Sequence, residues 1–438
     1  MASIAAPAQD QPGAEAPEAE AFAGGDLQSL RRLLPLVLLV YSIFLPQEMR
    51  IVISEQVIYP SRAAVFLVTP WIARSLLLGQ FRIRPADGLV FFAAGWMMVS
   101  FIFVYGVGDG VLRGGALVLD LLGPYMLARL CIRDIDDLRR LLVILAPGAF
   151  FAGFSLLVEV LAGHPIVRPI AASIFGDLPL YEGGVAVGEK ANIANYRFGL
   201  LRASGPFAHS IFAGLFLASL LPLYALSGLR RWPGKLGVAT AVFSLFTLSS
   251  AAILGVVLSI GLIAYDWIQR AVSFLNWRLL ATFAALSALF IHIASQNGII
   301  SILIRMTLNP QTGYYRLLIW RFGVQSVEKF PVFGIGFAVH ERPDWMNSSV
   351  DSYWLVLAIR HGLAVPAALF LVSIFAILAL GRCTTMLEEV DRRTVLGLAI
   401  ALFVLVIAGF TVAFVGGLLT WFLVILGASL SLTQSARA

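Results

Sequence analysis

Apolar stretches long enough to cross a lipid bilayer recur along the chain from Leu30 onward. A transmembrane helix needs about 20 mainly apolar residues, and about twelve such stretches alternate with short polar joints. Unbroken apolar runs of this length predict helices, because a bilayer offers backbone groups no hydrogen-bond partner outside the helix itself. The predicted spans are residues 33–49, 63–80, 87–105, 115–131, 141–162, 207–227, 236–250, 251–267, 279–297, 353–380, 394–411 and 413–432.

Composition and the two chain ends agree with this class. Of the 438 residues, 59% are hydrophobic and only 13% are charged, whereas soluble domains have about 25% charged residues. We therefore predict an all-α, polytopic integral membrane protein with a single transmembrane domain, residues 30–432. Residues 1–29 are rich in Ala, Pro and Glu and lack the basic start of a signal peptide, so they are predicted to be a disordered tail. Residues 433–438 form the second tail.

The distribution of Lys and Arg predicts how the helices are oriented. Basic residues occur on every second joint, and short joints of this kind stay in the cytoplasm. Both termini are therefore predicted to be cytoplasmic, and two long loops, residues 163–206 and 298–352, lie on the outer side. The basic joints contain Arg31 and Arg32, Arg82 and Arg84, Arg133, Arg139 and Arg140, Arg230, Arg231 and Lys235, Arg270 and Arg278, and Arg392 and Arg393.

The residue inventory excludes several kinds of partner. The net charge of +6 does not indicate nucleic acid, because the basic residues of a membrane protein collect in its cytoplasmic joints. Cys131 and Cys383 fall beside such joints and form no disulfide framework. The five histidines show none of the spacings typical of a zinc site. No metal and no cofactor is predicted.

The two outer loops depart from the charge trend. Arg197 and Arg202 lie in the first loop, and Arg316 and Arg321 lie in the second. Long loops cross the membrane largely regardless of charge, so these arginines fit a solvated surface. They also fit a site for an anionic ligand, which is the favoured interpretation.

Residues 314–330 have the pattern of an amphipathic helix lying at the outer membrane surface. This helix would hold Arg316 one turn before Trp320. A guanidinium beside an indole is oriented, and its planar fork can bind phosphate oxygens through two hydrogen bonds. The same two residues also fit an ordinary interfacial anchor.

Two further polar segments precede predicted spans on the outer side. The segment Arg202-Ala-Ser-Gly-Pro-Phe207 leads to the sixth span, where His209 is either a satisfied interfacial histidine or a base. Asp351 and Ser352 precede the tenth span, where an acid or a hydroxyl is also an ordinary helix cap. The adjacent Tyr353 can stack on a sugar ring or belong to the aromatic belt of the membrane interface.

Four acidic residues outside these segments also allow two interpretations. Asp120 and Glu159 lie within apolar spans, where a charge is costly unless it is paired or hydrated, so they are functional acids or capped carboxylates. Asp134-Ile-Asp136 resembles a pattern of nucleotide-sugar enzymes. Because it lies on a cytoplasmic joint before a helix, we predict a helix cap.

The order of these motifs resembles that in the superfamily of O-antigen ligases and Wzy-type polysaccharide polymerases. The similarity covers roughly residues 115–380, and each motif alone is weakly specific. The motifs are Tyr125-x-x-Ala-Arg129, Arg202-Ala-Ser-Gly-Pro-Phe207, Arg316-x-x-x-Trp320, Pro331-Val-Phe-Gly-Ile-Gly336, and the pair Asp351-Ser352 ahead of Gly362.

The resemblance implies a metal-independent, inverting glycosyl transfer at the periplasmic face of the bacterial inner membrane. The donor would be an oligosaccharide on polyprenyl diphosphate, with Arg202 and Arg316 holding the diphosphate. In the ligases a histidine regarded as the catalytic base begins the last motif, whereas here the position is Asp351. This difference favours an exopolysaccharide or O-antigen polymerase. The further substrate-binding residues implied are Arg197, Trp320, Arg321, Tyr353 and His209.

Two alternatives stay open. Within the same class, the chain could be an O-antigen ligase that transfers the glycan to another acceptor. From a different class, it could be a transporter of an anionic solute that uses the same outer arginines. For the polymerase, the expected partners are the lipid-linked oligosaccharide, the bilayer, a chain-length regulator and the export machinery, and nucleic acid is not expected.

Overall fold

The computed structural model describes residues 27–53, 56–182, 185–295, 302 and 310–435. Within these residues the chain is mostly helical and forms fifteen α-helices and three two-stranded antiparallel hairpins. The helices are α1 (Leu27–Tyr41), α2 (Pro60–Leu77), α3 (Pro85–Tyr105), α4 (Val107–Cys131), α5 (Ile135–Ala162), α6 (Val167–Phe175), α7 (Ser210–Leu226), α8 (Arg231–Phe243), α9 (Ser250–Ala271), α10 (Trp277–Ala294), α11 (Pro310–Lys329), α12 (Tyr353–His361), α13 (Ala364–Cys383), α14 (Glu389–Ala408) and α15 (Gly416–Ser435). The hairpins pair β1 (Ile51–Ile53) with β2 (Gln56–Ile58), β3 (Tyr181–Glu182) with β4 (Val185–Ala186), and β5 (Tyr196–Arg197) with β6 (Leu200–Leu201).

Parts of five predicted segments lie outside the described residues. These parts are residues 1–26 of the predicted N-terminal tail, residues 183 and 184 of the first loop, residues 296 and 297 of the ninth span, residues 298–301 and 303–309 of the second loop, and residues 436–438 of the C-terminal tail. Where the structure describes the tail boundaries, the helices extend further than predicted. α1 begins at Leu27 rather than at residue 30, and α15 continues to Ser435.

Eight helices in the described part of the chain are long and apolar enough to cross a membrane. They are α1 with the turn that follows it, α3, α4, α5, α9, α10, α13 and α15. α7 is also apolar but has only 17 residues. The chain thus has the helices of a multi-pass membrane protein. By length and composition, eight helices among the described residues could span a membrane, fewer than the twelve spans predicted.

The outer surface of the helical bundle is strongly apolar. Leu67, Phe103 and Phe290 are each about 70% exposed, and no residue of α10 is buried. Contiguous apolar surface of this kind is unusual on a soluble monomer and is favourable against lipid chains. The interior is centred on α15, which packs on α4, α13 and α14, and on α7, which packs on α8, α9 and α14.

The predicted tenth span, residues 353–380, is wrong as one continuous helix. α12 ends at His361 and α13 begins at Ala364. Gly362 between them has φ +77°, a conformation that residues with a side chain rarely adopt. A Cβ atom at Gly362 would lie 2.1 Å from the carbonyl oxygen of Val332, so the break accommodates a neighbouring segment.

That neighbouring segment is the predicted motif Pro331–Gly336. The backbone N–H of Ile335 donates to the carbonyl of Ile359 at 2.8 Å, and that of Gly336 donates to the carbonyl of Arg360 at 3.1 Å. These bonds satisfy carbonyl groups that the end of α12 leaves without helical partners. The motif therefore fixes the end of α12.

At the end of the bundle that contains the basic joints, several arginines join helices through ion pairs. Arg129 on α4 binds Asp87 on α3 at 2.9 Å, and Tyr125 donates a hydrogen bond to the same carboxylate. The motif Tyr125-x-x-Ala-Arg129 is therefore a buried link between two helices. The predicted cap at Asp134 is confirmed, because its carboxylate accepts from the N–H of Asp137 at 2.8 Å.

The two long loops contain regular structure. The first includes α6 and the hairpins β3–β4 and β5–β6, and the second includes α11. The amphipathic helix predicted over residues 314–330 corresponds to α11, which begins four residues earlier at Pro310. These elements carry Arg197, Arg316 and Arg321, and Arg202 directly follows β6.

Candidate functional site

Three arginines from the two loops converge on one site. Arg197 lies in β5, Arg202 lies in the segment before α7, and Arg316 lies in the first half of α11. Burial lowers the pKa of both Arg202 and Arg316, and nearby charges add to this, from Arg197 and Arg316 on Arg202 and from Arg197 on Arg316. The structure therefore brings together cations that are more than 100 residues apart in the sequence.

Arg316 is buried, with 7% of its surface exposed. Its guanidinium makes no hydrogen bond or ion pair with any residue that the structure describes, and its buried Nε lacks a partner. Burial lowers the pKa of this guanidinium below its usual value, and the nearby Asp351 opposes that effect. Because a dehydrated cation is costly without a counter-charge, the position suits an anion.

Arg202 has only a distant counter-charge. Its Nη1 lies 4.0 Å from Oε1 of Glu189, and its Nε is buried without a partner. Burial lowers the pKa of the Arg202 guanidinium below its usual value, against the opposing effect of Glu189. Arg197 is held differently, because its Nη1 donates to the carbonyl of Leu248 at 2.7 Å. Three guanidinium groups thus share a site with two carboxylates, Glu189 and Asp351.

Glu189 and His209 form a hydrogen-bonded pair beside Arg202. Nδ1 of His209 accepts the N–H of Ile211 at 3.0 Å, which makes His209 the N-cap of α7. The ring proton is therefore on Nε2, which donates to Oε1 of Glu189 at 3.1 Å. Burial lowers the pKa of His209 below its usual value, so the ring is neutral at pH 7. With both nitrogens engaged, His209 orients Glu189.

Asp351 is not the cap of α12. Ser352 has that role, because its Oγ accepts the N–H of Leu355 at 3.4 Å. The carboxylate of Asp351 accepts one hydrogen bond, from Oγ of Ser349 at 2.9 Å, and is partly exposed. It is near enough to influence the pKa of both Arg316 and His209. Of the two residues that the sequence offered as the cap of α12, Ser352 is the cap and Asp351 is not.

Glu159 fixes the backbone that carries Arg202. This carboxylate is fully buried at the end of α5. Its Oε2 accepts the N–H groups of Ser204 and Gly205 at 3.1 and 2.9 Å. Its Oε1 accepts those of Ile166 and Val167 at 3.0 and 3.2 Å. Of the two interpretations of Glu159, the structure supports the capped carboxylate.

Arg168 and Glu48 support Glu189 from behind. The Nε of Arg168 binds Oε1 of Glu48 at 2.7 Å, and both side chains are buried. The Nη2 of Arg168 donates to the backbone carbonyl of Glu189 at 2.5 Å. Arg168 therefore has a structural role and does not add to the charge available to a ligand.

Three further predicted site residues, Trp320, Tyr353 and Arg321, have different surroundings in the structure. Trp320 donates from Nε1 to the carbonyl of Phe410 at 3.1 Å, and its ring stacks on that residue. Tyr353 is 4% exposed and stacks on Phe414, with ring centroids 4.9 Å apart. Both rings pack on an aromatic residue from another segment, and the buried Tyr353 has no open face for a sugar. Arg321 is exposed on α11.

Sequence reasoning missed Glu189 as a site residue and assigned no partner to Glu159. Glu189 is one of three acidic residues in the loop of residues 163–206. No spacing rule relates Glu189 to His209, twenty residues later. The available signal was only that an acid beside several arginines can pair with one of them. Among the described residues, no group of three His, Cys, Asp or Glu side chains could hold a metal ion.

Comparison of the chain with models of known protein families gave no match, and a search of curated proteins gave none either.

Proposed function

We propose that the chain is a membrane glycosyltransferase that uses an oligosaccharide on polyprenyl diphosphate as donor and a sugar hydroxyl as acceptor, most simply in polymerising an exopolysaccharide or O-antigen. The observation that carries the proposal is the buried guanidinium of Arg316, which has no partner among the described residues. Arg202 and Arg197 add positive charge, and Asp351 lies alongside. A diphosphate would supply the hydrogen-bond acceptors and the further negative charge that the buried guanidinium of Arg316 lacks.

In the proposed reaction, Arg202 and Arg316 bind the diphosphate of the donor. The acceptor oxygen forms a bond to the anomeric carbon on the face opposite the diphosphate, while the bond from that carbon to the phosphate oxygen breaks. The diphosphate leaves with the electron pair of the broken bond. The two guanidiniums stabilise the negative charge that grows on it in the transition state.

Asp351 is the group best suited to accept the proton of the acceptor hydroxyl. Its carboxylate is partly exposed and accepts a single hydrogen bond within the described residues. His209 is less suited, because its Nδ1 accepts a backbone N–H and its Nε2 donates to Glu189. A carboxylate can act as base when hydroxyl and anomeric carbon are held together.

Purified protein reconstituted with a polyprenyl-diphosphate oligosaccharide tests the proposal. Arg316→Ala should lower the rate of glycan transfer about 100-fold or more, the typical loss for one preorganised group that stabilises developing charge. Lys329→Ala is the matched control on the same helix, because Lys329 is exposed and paired with Glu341 at 2.7 Å. Transfer by Arg316→Ala at the wild-type rate would remove the diphosphate role.

A second variant separates transfer from transport. In cells, Asp351→Asn should abolish polymer and cause lipid-linked repeat units to accumulate on the outer side of the membrane. A transporter of an anionic solute would produce no such accumulation. The product separates polymerase from ligase, since a polymerase yields a long lipid-linked chain and a ligase moves the glycan to a different acceptor.

A further inference from the structure

An exposed apolar surface runs along α5 to the end of that helix. Its residues are Phe151, Phe154, Val158 and Leu161. They recur every three or four positions and therefore lie on one face of the helix. An exposed apolar face on a candidate membrane helix is favourable against lipid chains. Because Leu161 is 77% exposed, this lipid-facing surface reaches the last turn of α5.

α6 continues the apolar surface beyond α5. It begins four residues after Gly163, which turns the chain with φ +73°. Its single charged residue, Arg168, is buried together with Ala171. By contrast, Ile170 and Ile174 are 60% and 70% exposed. A helix with an apolar exposed face, directly after the end of a membrane helix, is suited to lie in the membrane surface.

The β1–β2 hairpin presents a second exposed apolar segment beside α6. Ile51, Val52 and Ile53 are 56%, 58% and 58% exposed. Successive residues of a strand point to opposite sides, so both sides of β1 are apolar. Arg50, the residue before β1, donates from Nη2 to the backbone carbonyl of Asp177 at 2.7 Å, which joins the hairpin to the chain just after α6. An apolar strand of this kind in water is a site of aggregation, whereas a membrane surface accommodates it.

An arginine on α2 fixes the other strand of the hairpin. Nη1 of Arg62 donates to the carbonyl of Val57 in β2 at 2.7 Å. The same guanidinium binds Asp120 on α4 through two hydrogen bonds, of 2.9 and 2.5 Å. Of the two interpretations of Asp120, the structure supports the paired carboxylate. The exposed residues of β1 therefore belong to an element that is anchored to the helical bundle.

A buried ion pair connects both apolar elements to the arginine site. Glu48, just before β1, binds Arg168 of α6, and Arg168 donates to the backbone carbonyl of Glu189. The backbone N–H of Glu189 donates to the carbonyl of Ala208 at 2.9 Å. Since the side chain of Glu189 is the counter-charge nearest to Arg202, the surroundings of Arg202 depend on where α6 lies.

We propose that α6 and the β1–β2 hairpin form an interfacial platform that inserts into the surface of the bilayer around the chain, and that Arg168 ties Glu189 to the depth of this platform. The occupant is lipid, because the exposed face of α6 continues the lipid-facing stripe of α5 and bears no charged side chain. Neither the platform nor its test requires glycosyl transfer. If the arginine site takes a phosphate carried by a lipid, this tie sets the site at the depth of the headgroups.

Spin labels on the full-length protein in phosphatidylcholine nanodiscs test the insertion. Cys131 and Cys383 are buried, so a nitroxide reagent reacts selectively with a cysteine introduced at an exposed position. Labels in Ile170→Cys, Ile174→Cys and Val52→Cys should collide more often with oxygen, which concentrates in lipid, than with a water-soluble nickel chelate.

Two labelled variants calibrate this comparison. Leu161→Cys on the lipid-facing stripe of α5 should show the same preference for oxygen. Asn192→Cys, an exposed polar position between β4 and β5, should show the reverse. A preference for the nickel chelate at Ile170 and Ile174 would place α6 in water. Shielding of both labels from both reagents would indicate a protein partner or a second copy of the chain, and either result would overturn the platform.

Hydrogen exchange in the same nanodiscs tests the tie to Glu189. Ile170→Gln/Ile174→Gln removes the apolar face of α6 and leaves its buried side unchanged. Burial of one isoleucine in apolar surroundings shifts an equilibrium about 10-fold or more, so the amides of α6 should exchange at least about 10-fold faster. The amide of Glu189 should also exchange faster. Ser173→Gln, at an exposed polar position of the same helix, is the matched control and should change neither.

The two sets of amides separate the two parts of the inference. Faster exchange in α6 with unchanged exchange at Glu189 would refute the tie through Arg168. Unchanged exchange in both would refute the insertion itself, as would an equal increase in Ser173→Gln. Loss of glycan transfer in Arg316→Ala bears on neither part, so the platform and the proposed function can fail separately.

Discussion

Glu159→Gln should release the backbone that positions Arg202. The carboxylate accepts four backbone N–H groups, two at each oxygen. Glutamine keeps one oxygen, which can still accept two of the four backbone N–H groups. Its NH₂ group faces the other two N–H groups and cannot accept from them, so two hydrogen bonds to a charged group are lost. At about 1.5–3 kcal/mol for each such bond, the local loss is about 3–6 kcal/mol. The fold should persist while this segment opens.

Hydrogen exchange of the backbone amides measures this opening directly. A loss of about 3–6 kcal/mol corresponds to exchange about 100- to 10,000-fold faster in peptides containing Ile166 and Val167 or Ser204 and Gly205. Glu341→Gln is the control, because Glu341 is half-exposed and its ion pair with Lys329 contributes at most about 1 kcal/mol. Unchanged exchange in Glu159→Gln, or an equal increase in the control, would refute the positioning role.

Two further predictions concern stability. Burial keeps the pKa of His209 below its usual 6.5, so the stability that its neutral ring contributes is complete above pH 6.5 and is lost as the pH falls through the lowered value. The Tm should therefore fall more between pH 7 and pH 5 for the wild type than for His209→Asn, in which the asparagine can still cap α7. An equal fall in Tm for both proteins would contradict this prediction. Gly334→Ala should lower the Tm, because Gly334 has φ +66° and a Cβ there would lie 2.5 Å from backbone atoms of Arg360 and Ile359. Gly95→Ala in α3, where a Cβ meets open space, should not lower the Tm, and an equal effect of both changes would count against the packing role of the Pro331–Gly336 segment.

Much of the helical architecture could be predicted from hydropathy, because the length of an apolar run directly reflects the thickness of a bilayer. The break at Gly362 could not, since the apolar pattern continues across it and its cause is the docking of residues 331–336 from another part of the chain. A hydropathy pattern predicts only local structure, and a contact between distant parts of the chain leaves no periodic signal in the sequence.

For the same reason, some residues of the candidate site were predicted from the sequence and others were not. Arg202 and Arg316 stood out because arginines in the two long loops depart from the predicted charge trend of the short joints, and Asp351 stood out by its position before a helix. Glu189 carried no comparable signal, because its importance comes from a hydrogen bond to His209 that only the folded loop creates. Tyr353 was assigned to sugar stacking from its residue type and position, and Trp320 to orienting Arg316 from helical spacing, whereas in the structure Tyr353 stacks on Phe414 and Trp320 stacks on Phe410.

Ser352 caps α12 and Asp351 does not, and this difference affects which substitutions the protein can accept. Since the hydroxyl of Ser352 starts α12 on its own, the helix does not depend on which side chain precedes it. In the proposed transferase, an imidazole, an amide or a carboxylate could therefore be exchanged at position 351 without loss of the helix cap. A change of acceptor would then need a change at one residue rather than a redesigned helix.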